Sequence, residues 1–268
     1  MDKSRFQKKI YQYYHKNKRP FPWRQTRDPY KIMVSEFMLQ QTQTQRVLPK
    51  YRDFIEKLPN VTALGRAPLR QVLQLWQGLG YNSRGKRLHD SAKKIVKEFN
   101  GSVPSQVALL ETLPGIGPYT SRAIATFAFD SPEVFIETNI RTVYLYFYFK
   151  NKIDVSDKQI LDKVKATLDT NSPRNWYYAL MDYGVMLKRT QGNLNTKSKH
   201  YSKQSKFVGS NRQLRGQVIK LLLAQPQHKN EIYSQLQFEV LRIDKTLSQL
   251  EEEQLVFCDN KGIYQIKR

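Results

Sequence analysis

Only one cysteine, Cys258, occurs in the 268 residues. A single thiol excludes an intrachain disulfide, a cysteine-rich zinc site and a four-cysteine iron–sulfur cluster. Long apolar runs are missing as well. Nothing approaches the roughly 20 apolar residues of a membrane-spanning helix, and the opening MDKSRFQKKI lacks the apolar stretch of a signal peptide. The cytoplasm is the expected location, in association with the nucleoid if the source is bacterial. The third scarcity is negative charge: 23 Asp and Glu face 45 Lys and Arg, a formal net charge of +22. Between Asp182 and Glu231 no acidic residue occurs. A polyanion is the partner this balance favours, and nucleic acid fits better than a membrane surface. Hydrophobic content of 40% is enough for a core, and the length suits one two-lobed domain with a small appendage.

What is present is mostly helical pattern. From residue 2 to 184 apolar residues recur at helical spacing, broken by loop signals at Leu58-Pro59-Asn60, Asn100-Gly101 and Ser131-Pro132, with no internal repeat. Residues 188–211, KRTQGNLNTKSKHYSKQSKFVGSN, are basic and poor in apolar side chains, and read as a linker or a DNA-tracking loop. Such a run is usually a solvated segment, but Tyr201 and Phe207 within it favour contact with backbone and bases. Beyond it, helical patterns at 214–223, 229–236 and 243–253 precede two short strands around Asp259-Asn260-Lys261-Gly262, the layout of a winged helix-turn-helix. Its third helix is the one such modules commonly lay in a groove. Glu251, Glu252 and Glu253 at the end of that helix suit phosphates poorly, so protein binding or packing is the competing role.

Three stretches carry chemistry. In RPFPWRQTRDPYKIMVSEFMLQQTQTQRV (19–47), Asp28 is placed to cap a helix with Pro29 in its first position. The spacing predicts one helix over 30–47, with Ile32, Met33, Phe37 and Leu48 on its core face. Glu36 shares that neighbourhood, and apolar surroundings would raise its carboxyl pKa towards that of a general acid. The competing reading leaves Glu36 on a solvated helix edge. In LPGIGPYTSRAIATFAF (113–129), two glycines separate helices, with Pro118 opening the second. The turn lets backbone approach a ligand, and the helix start favours a phosphate oxygen. Glycine turns of this kind also occur in proteins that bind nothing; the net charge is what favours DNA here. In VFIETNIRTV (134–143), Glu137 follows a strand-like approach and precedes a helix. Facing Glu36, it would supply an anion beside an oxocarbenium-like sugar. Alternatively Glu137 serves only as a helix cap with Thr138 and Asn139.

PWRQTRDPY, SEFMLQQTQ, LWQGLGYNSR, LPGIGPYTSRAIATFAF and MDYG (181–184) resemble, in order and spacing, the catalytic domain of the helix-hairpin-helix DNA glycosylases. The nearest likeness is to MutY-type adenine glycosylases, from about residue 19 to 184. The resemblance implies a mainly α fold with a two-lobed glycosylase domain over 1–187 and a DNA cleft between its lobes. A basic linker or DNA-contacting loop over 188–211 and a small α+β winged-helix domain over 212–268 would follow. It makes Glu36 the acid that protonates the departing base, puts Glu137 in the place of an essential Asp, and makes Asn139 the organiser of that carboxylate. Gln40, Gln41 and Thr42 match a segment that enters the base stack; Arg19, Phe21, Trp23, Asn82 and Tyr178 join them around the extruded base. Gly115, Ile116, Gly117, Tyr119 and Thr120 match the phosphate-binding hairpin, where relatives often hold a monovalent cation on backbone carbonyls. No metal is expected on side chains. Tyr119 stands where strand-cleaving members carry a nucleophilic Lys, which points to a monofunctional enzyme.

Departures from the family pattern are as specific. Glu137 is one methylene longer than Asp, Asn82 replaces the second aromatic of a GLGYY block, and Tyr178 stands where adenine glycosylases usually carry Glu or Gln. The four cluster cysteines are missing after MDYG, and Lys197, Lys199, Lys203 and Lys206 are expected to supply the DNA contact in their place. A nudix-like domain that reads 8-oxoguanine is also missing. Three readings follow. In the first, a monomeric monofunctional glycosylase removes adenine opposite guanine or 8-oxoguanine in double-stranded DNA; in the second, uracil or thymine is removed from a mismatch. The third is a DNA-binding protein that has lost chemistry.

Overall fold

The computed structural model describes residues 1–204 and 206–267. Among these residues the chain forms fourteen α-helices and one three-stranded antiparallel sheet, the mainly α class that the spacing predicts. Two compact units share the chain: Met1–Ile32, Ser105–Thr112 and Ile116–Lys203 make one, and Met33–Pro104, Leu113–Gly115 and the segment from Gln204 onward make the other.

The first unit is an aromatic-rich helical core. Phe6 of the Lys3–Asn17 helix meets the rings of Tyr144, Phe147, Tyr148 and Trp176 at 5.3–5.6 Å, three of the four edge-on. Such pairs add about 0.5–1.5 kcal/mol beyond area burial. The helices Thr138–Tyr148 and Pro173–Gln191 pack against each other. Their contact is close enough that a Cβ on Gly184 would stand 2.2 Å from the Asn139 carbonyl oxygen. That explains the glycine of MDYG.

Part of the basic stretch is folded into this unit. The Pro173–Gln191 helix runs past 187, and Leu194–Lys197 forms a 3-10 turn. Buried Asn195 donates through Nδ2 to Thr142 Oγ1 at 2.8 Å, and Val155 exchanges backbone bonds with Lys197 and Lys199, each 3.0 Å. The linker expected over 188–211 is therefore tied down through Lys199. Polar composition hid this because the anchors are themselves polar.

In the second unit, helices Thr44–Lys57, Val61–Arg66, Leu69–Trp76 and Asn82–Glu98 are followed by the C-terminal module. That module has helices Asn211–Ala224, Lys229–Gln235 and Val240–Glu252 and strands Gln227–His228, Val256–Cys258 and Ile263–Ile266. The last strand lies between the other two. The strand Gln227–His228 is too short to show alternation in the sequence. Leu69 and Leu73 share one core with Leu214, Val218, Leu222 and Leu250. Arg70 adds to this contact by donating to the carbonyls of Leu222, Leu223 and Ala224 at the end of the Asn211–Ala224 helix, where four carbonyls lack intrahelical donors.

Candidate active site

Glu36 sits in the Pro29–Leu39 helix, whose start is as the sequence predicts: Asp28 Oδ1 accepts from the amides of Tyr30 at 2.9 Å and Lys31 at 3.3 Å. Seven consecutive residues, Ile32 to Met38, are buried, so the helix has no solvated edge in that span. Glu36 is 6% exposed, which overturns the surface reading of this carboxylate. Of the expected core residues, Ile32, Met33 and Phe37 are buried and Leu48 is only partly so.

The single helix expected over 30–47 is two helices, broken by a turn that holds the amide run. Gln41 has φ +54, and the second helix begins at Thr44. The cause is Arg84, a residue of the LWQGLGYNSR block whose role the sequence did not disclose. Its buried guanidinium donates to the carbonyl oxygens of Phe37 (2.8 Å), Met38 (3.2 Å) and Gln40, and to Thr42 Oγ1 (3.0 Å). It also donates to the carbonyls of Leu79 (3.3 Å) and Gly80 (3.2 Å). Carbonyls at a helix end need such donors, and a cation there also opposes the helix dipole. Gln40, Gln41 and Thr42 are thereby held directly after the Glu36 helix. Tyr81, at φ 48, caps the helix that begins at Asn82.

Glu137 is both a cap and a candidate for chemistry. Its Oε1 accepts from the Asn139 and Ile140 amides at 2.8 Å each, and its Oε2 accepts from Asn139 Nδ2 at 3.1 Å. Asn139 is thus bonded to both carboxylate oxygens, through its amide and through Nδ2. Burial raises the Glu137 pKa, opposed by the two helix-start amides, by Arg141 and by Asn139 Nδ2. The approach through 134–136 forms no strand; the Phe135 amide donates to Tyr177 Oη at 3.3 Å.

Asp182 of MDYG organises the other candidates in this unit. It is buried and accepts from the Arg19 amide (3.1 Å) and Nε (2.6 Å), and from both terminal nitrogens of Arg24 (2.8 and 3.0 Å). Phe21 stacks on Trp23 at 4.9 Å, with both guanidiniums 5.1–5.4 Å from the Phe21 ring centre. Tyr178 is buried, stacked on Phe127 at 4.6 Å with the Arg24 guanidinium 4.5 Å from its ring centre. Arg174 ties this cluster to the chain by donating to the carbonyls of Phe127, Arg24 and Thr26. Nothing local in the sequence marks Asp182, Arg24 or Arg174: Arg24 and Asp182 lie 158 residues apart, and Arg174 and Phe127 lie 47 apart.

In the hairpin, Gly115 has φ +81 and packs so closely that a Cβ would meet Arg87 Cβ at 2.8 Å and Phe37 at 2.9 Å. Gly117 caps the Pro118–Phe129 helix and has open space where a Cβ would stand. Ile116 is buried, Thr120 is buried, and Tyr119 meets Phe135 edge-on at 5.7 Å. Of the four lysines expected on DNA, Lys197 donates its Nζ to the Lys150 carbonyl at 2.7 Å and so fastens its own loop. Lys199, Lys203 and Lys206 are exposed. Among the described residues no group of three His, Cys, Asp or Glu is placed to hold a metal, and no helix is long and apolar enough to cross a membrane.

Comparison with known proteins gives this geometry a context. A family profile described as HhH-GPD superfamily base excision DNA repair protein matches residues 34–203. The adenine DNA glycosylase of Buchnera aphidicola subsp. Baizongia pistaciae is 35% identical over 179 residues, 65% of this chain and 50% of that protein. That of Mycolicibacterium smegmatis is 40% identical over 176 residues, 65% of this chain and 60% of the relative. The chain spans about half the length of the curated relatives it matches. The solved structure of a thermostable thymine-DNA glycosylase superposes with a TM-score of 0.63 at 23% identity, covering 74% of this chain and 96% of that one; this likeness concerns the fold.

Proposed function

Because the chain belongs to the HhH-GPD superfamily of base excision DNA repair proteins, we propose that it is a monofunctional DNA glycosylase that removes adenine mispaired with guanine or 8-oxoguanine. The observation that carries this reading is Glu36: a buried carboxylate, followed directly by an amide-bearing turn that a single guanidinium holds in place. The adenine specificity is drawn from the relatives that match over 65% of the chain.

In the proposed reaction an extruded adenine accepts the Glu36 proton, and the C–N glycosidic bond breaks with its electron pair leaving on the base. Glu137, ionised, stabilises the sugar cation. Water adds to the anomeric carbon and returns a proton to Glu36, leaving an abasic site. Tyr119 offers no amine, so the mechanism has no Schiff base and no strand cleavage. The hairpin at Gly115 and Gly117 grips a phosphate through backbone amides. Backbone carbonyls of the same turn would hold a monovalent cation. Residues 1–187 would hold the chemistry and 212–268 an accessory module, the chain working as a cytoplasmic monomer on double-stranded DNA.

Single-turnover incubation with duplexes bearing 8-oxoguanine:A, G:A, G:T and G:U, followed by alkaline cleavage of abasic sites, tests the reading. Product is expected from the adenine-containing duplexes alone, and Glu36→Gln should reduce it by about 10²–10⁴-fold with DNA affinity retained. Product only from G:T or G:U would reassign the substrate to a mismatched pyrimidine. Full activity of Glu36→Gln would remove the general acid.

A further inference from the structure

The C-terminal module carries a cleft of about 710 Å³ beside Tyr81, lined in part by Gln204, Lys206, Val208, Arg212 and Arg242. Among the described residues no carboxylate lines it. Arg212 donates to Tyr81 Oη at 3.0 Å with its guanidinium 5.5 Å from the ring centre, and Gln204 Nε2 donates to the same oxygen at 2.5 Å. Arg242 Nη2 donates to the Gly209 carbonyl and to Asn211 Oδ1, both at 2.9 Å. At the floor, Ser210 caps the fourteen-residue Asn211–Ala224 helix, so the positive end of a helix dipole faces the same space. Three cations and a helix start with no acid among them form a site for anions. Val208 (84% exposed) lines the cleft, and its chain neighbour Phe207 is 58% exposed.

The third helix of the module is a poorer candidate for a polyanion. Its acidic end is used internally, since Glu253 pairs with Arg215 at 2.6 Å and Glu251 accepts from the Cys258 amide at 3.1 Å.

We propose that the module binds duplex DNA through this cleft, at the start of its first helix, and not by laying its third helix in a groove. Backbone phosphates seat between Lys206, Arg212 and Arg242, while Phe207 and Val208 pack against sugars or bases, as apolar side chains do beside a basic track. Tyr81 fixes the register, because it caps the helix from Asn82 and is gripped by the module at once. The proposal rests on the reading of this chain as a DNA-acting protein.

The test is fluorescence anisotropy of the full chain on an undamaged duplex over a salt series. Each phosphate contact contributes about 0.9 to the slope of log K against log salt, so the double variant Lys206→Ala/Arg242→Ala should bind more weakly and lose roughly 2 from that slope. Phe207→Ala should weaken binding with the slope unchanged. Lys220→Ala/Lys245→Ala, on the same module away from the cleft, should match the unaltered chain. Lys206 and Phe207 lie on an exposed loop, so their single variants report on the cleft even if loss of Arg242 unfolds the module. An unchanged slope in the Lys206 and double variants, or an equal loss in the Lys220/Lys245 control, overturns the proposal. Base release at saturating protein is read in parallel: a changed slope without base release from any duplex supports the cleft and removes the glycosylase reading, whereas base release with an unchanged slope removes the cleft alone.

Discussion

Arg84 donates to the Thr42 hydroxyl at 3.0 Å, and through that guanidinium the turn after the Glu36 helix is joined to the turn at Leu79 and Gly80. Two segments about 40 residues apart in sequence are positioned by one side chain. Burial pushes the Arg84 pKa down to about 10, which still leaves it charged at neutral pH.

Lysine cannot replace it. An ammonium has a single point of charge and cannot span both turns, whereas the planar fork can. Each buried carbonyl left without a donor costs about 1–3 kcal/mol. Arg84→Lys should therefore lower stability by about 3 kcal/mol and slow single-turnover base release at least about tenfold, in keeping with the sensitivity of reacting groups to shifts near 1 Å. Because the general acid is unchanged, the pH profile should keep its shape. Wild-type melting and release rates in this variant would show that Arg84 positions nothing.

Much of this architecture was legible in the sequence. The Asp28-Pro29 helix start, the Gly115 to Pro118 turn and the three helices and hairpin of the C-terminal module follow from local chemistry of caps, glycines and alternation. The break after Leu39 did not follow, because the residues from 40 to 43 contain neither Gly nor Pro and the break is enforced from Arg84. Long-range partners explain the other omissions: Asp182 with Arg19 and Arg24, Asn195 with Thr142, and Tyr81 with Arg212. Residue type and context mark both Glu36 and Glu137, yet the sequence does not choose between surface and interior for Glu36. For Glu137 the structure shows the helix cap, with Asn139 holding the second oxygen, and its role in chemistry stays a proposal.

The pH profile of base release should carry the mark of Glu137. Burial raises its pKa above the ordinary 4.5, and the proposed mechanism needs the ionised form. Activity should fall as pH drops through that raised pKa, so the acid limb lies above 4.5. Glu137→Gln should lower the rate across the range and abolish that limb. A variant that keeps the limb would assign it to another group.

Stability should depend on pH through a residue with no part in the proposed chemistry. His89 is buried, its Nε2 has no partner among the described residues, and its pKa is lowered from 6.5 to about 4, first by burial and then by Lys93. The folded chain holds it neutral, whereas the unfolded chain takes up a proton below about 6.5. Its contribution is complete above 6.5 and is lost as pH falls from 6.5 towards 4. His89→Asn should shrink the difference in Tm between pH 7 and pH 4.5 by several degrees, corresponding to on the order of 1–2 kcal/mol. An equal pH dependence in both proteins would place the titration elsewhere.

Two glycines in the matched blocks should answer to alanine in opposite ways. At Gly184 a methyl group would collide with the Asn139 backbone, 2.2 Å from its oxygen and 2.7 Å from its carbonyl carbon. Neither atom can yield without moving the first turn of the helix that Glu137 caps. Overpacking of this kind costs about 1–3 kcal/mol, and Gly184→Ala should lower Tm and base release together while binding to undamaged DNA survives in the fraction that remains folded. At Gly117 nothing stands within 4 Å of the added methyl. Alanine is a weaker cap than glycine, so Gly117→Ala should cost at most about 1 kcal/mol, but the methyl would occupy the space through which a phosphate reaches the helix start. Its main effect should be on DNA affinity. If Gly117→Ala binds DNA as tightly as the unaltered chain, the hairpin does not hold a phosphate at this turn; if Gly184→Ala melts normally, the close approach of the two helices is not what fixes Asn139.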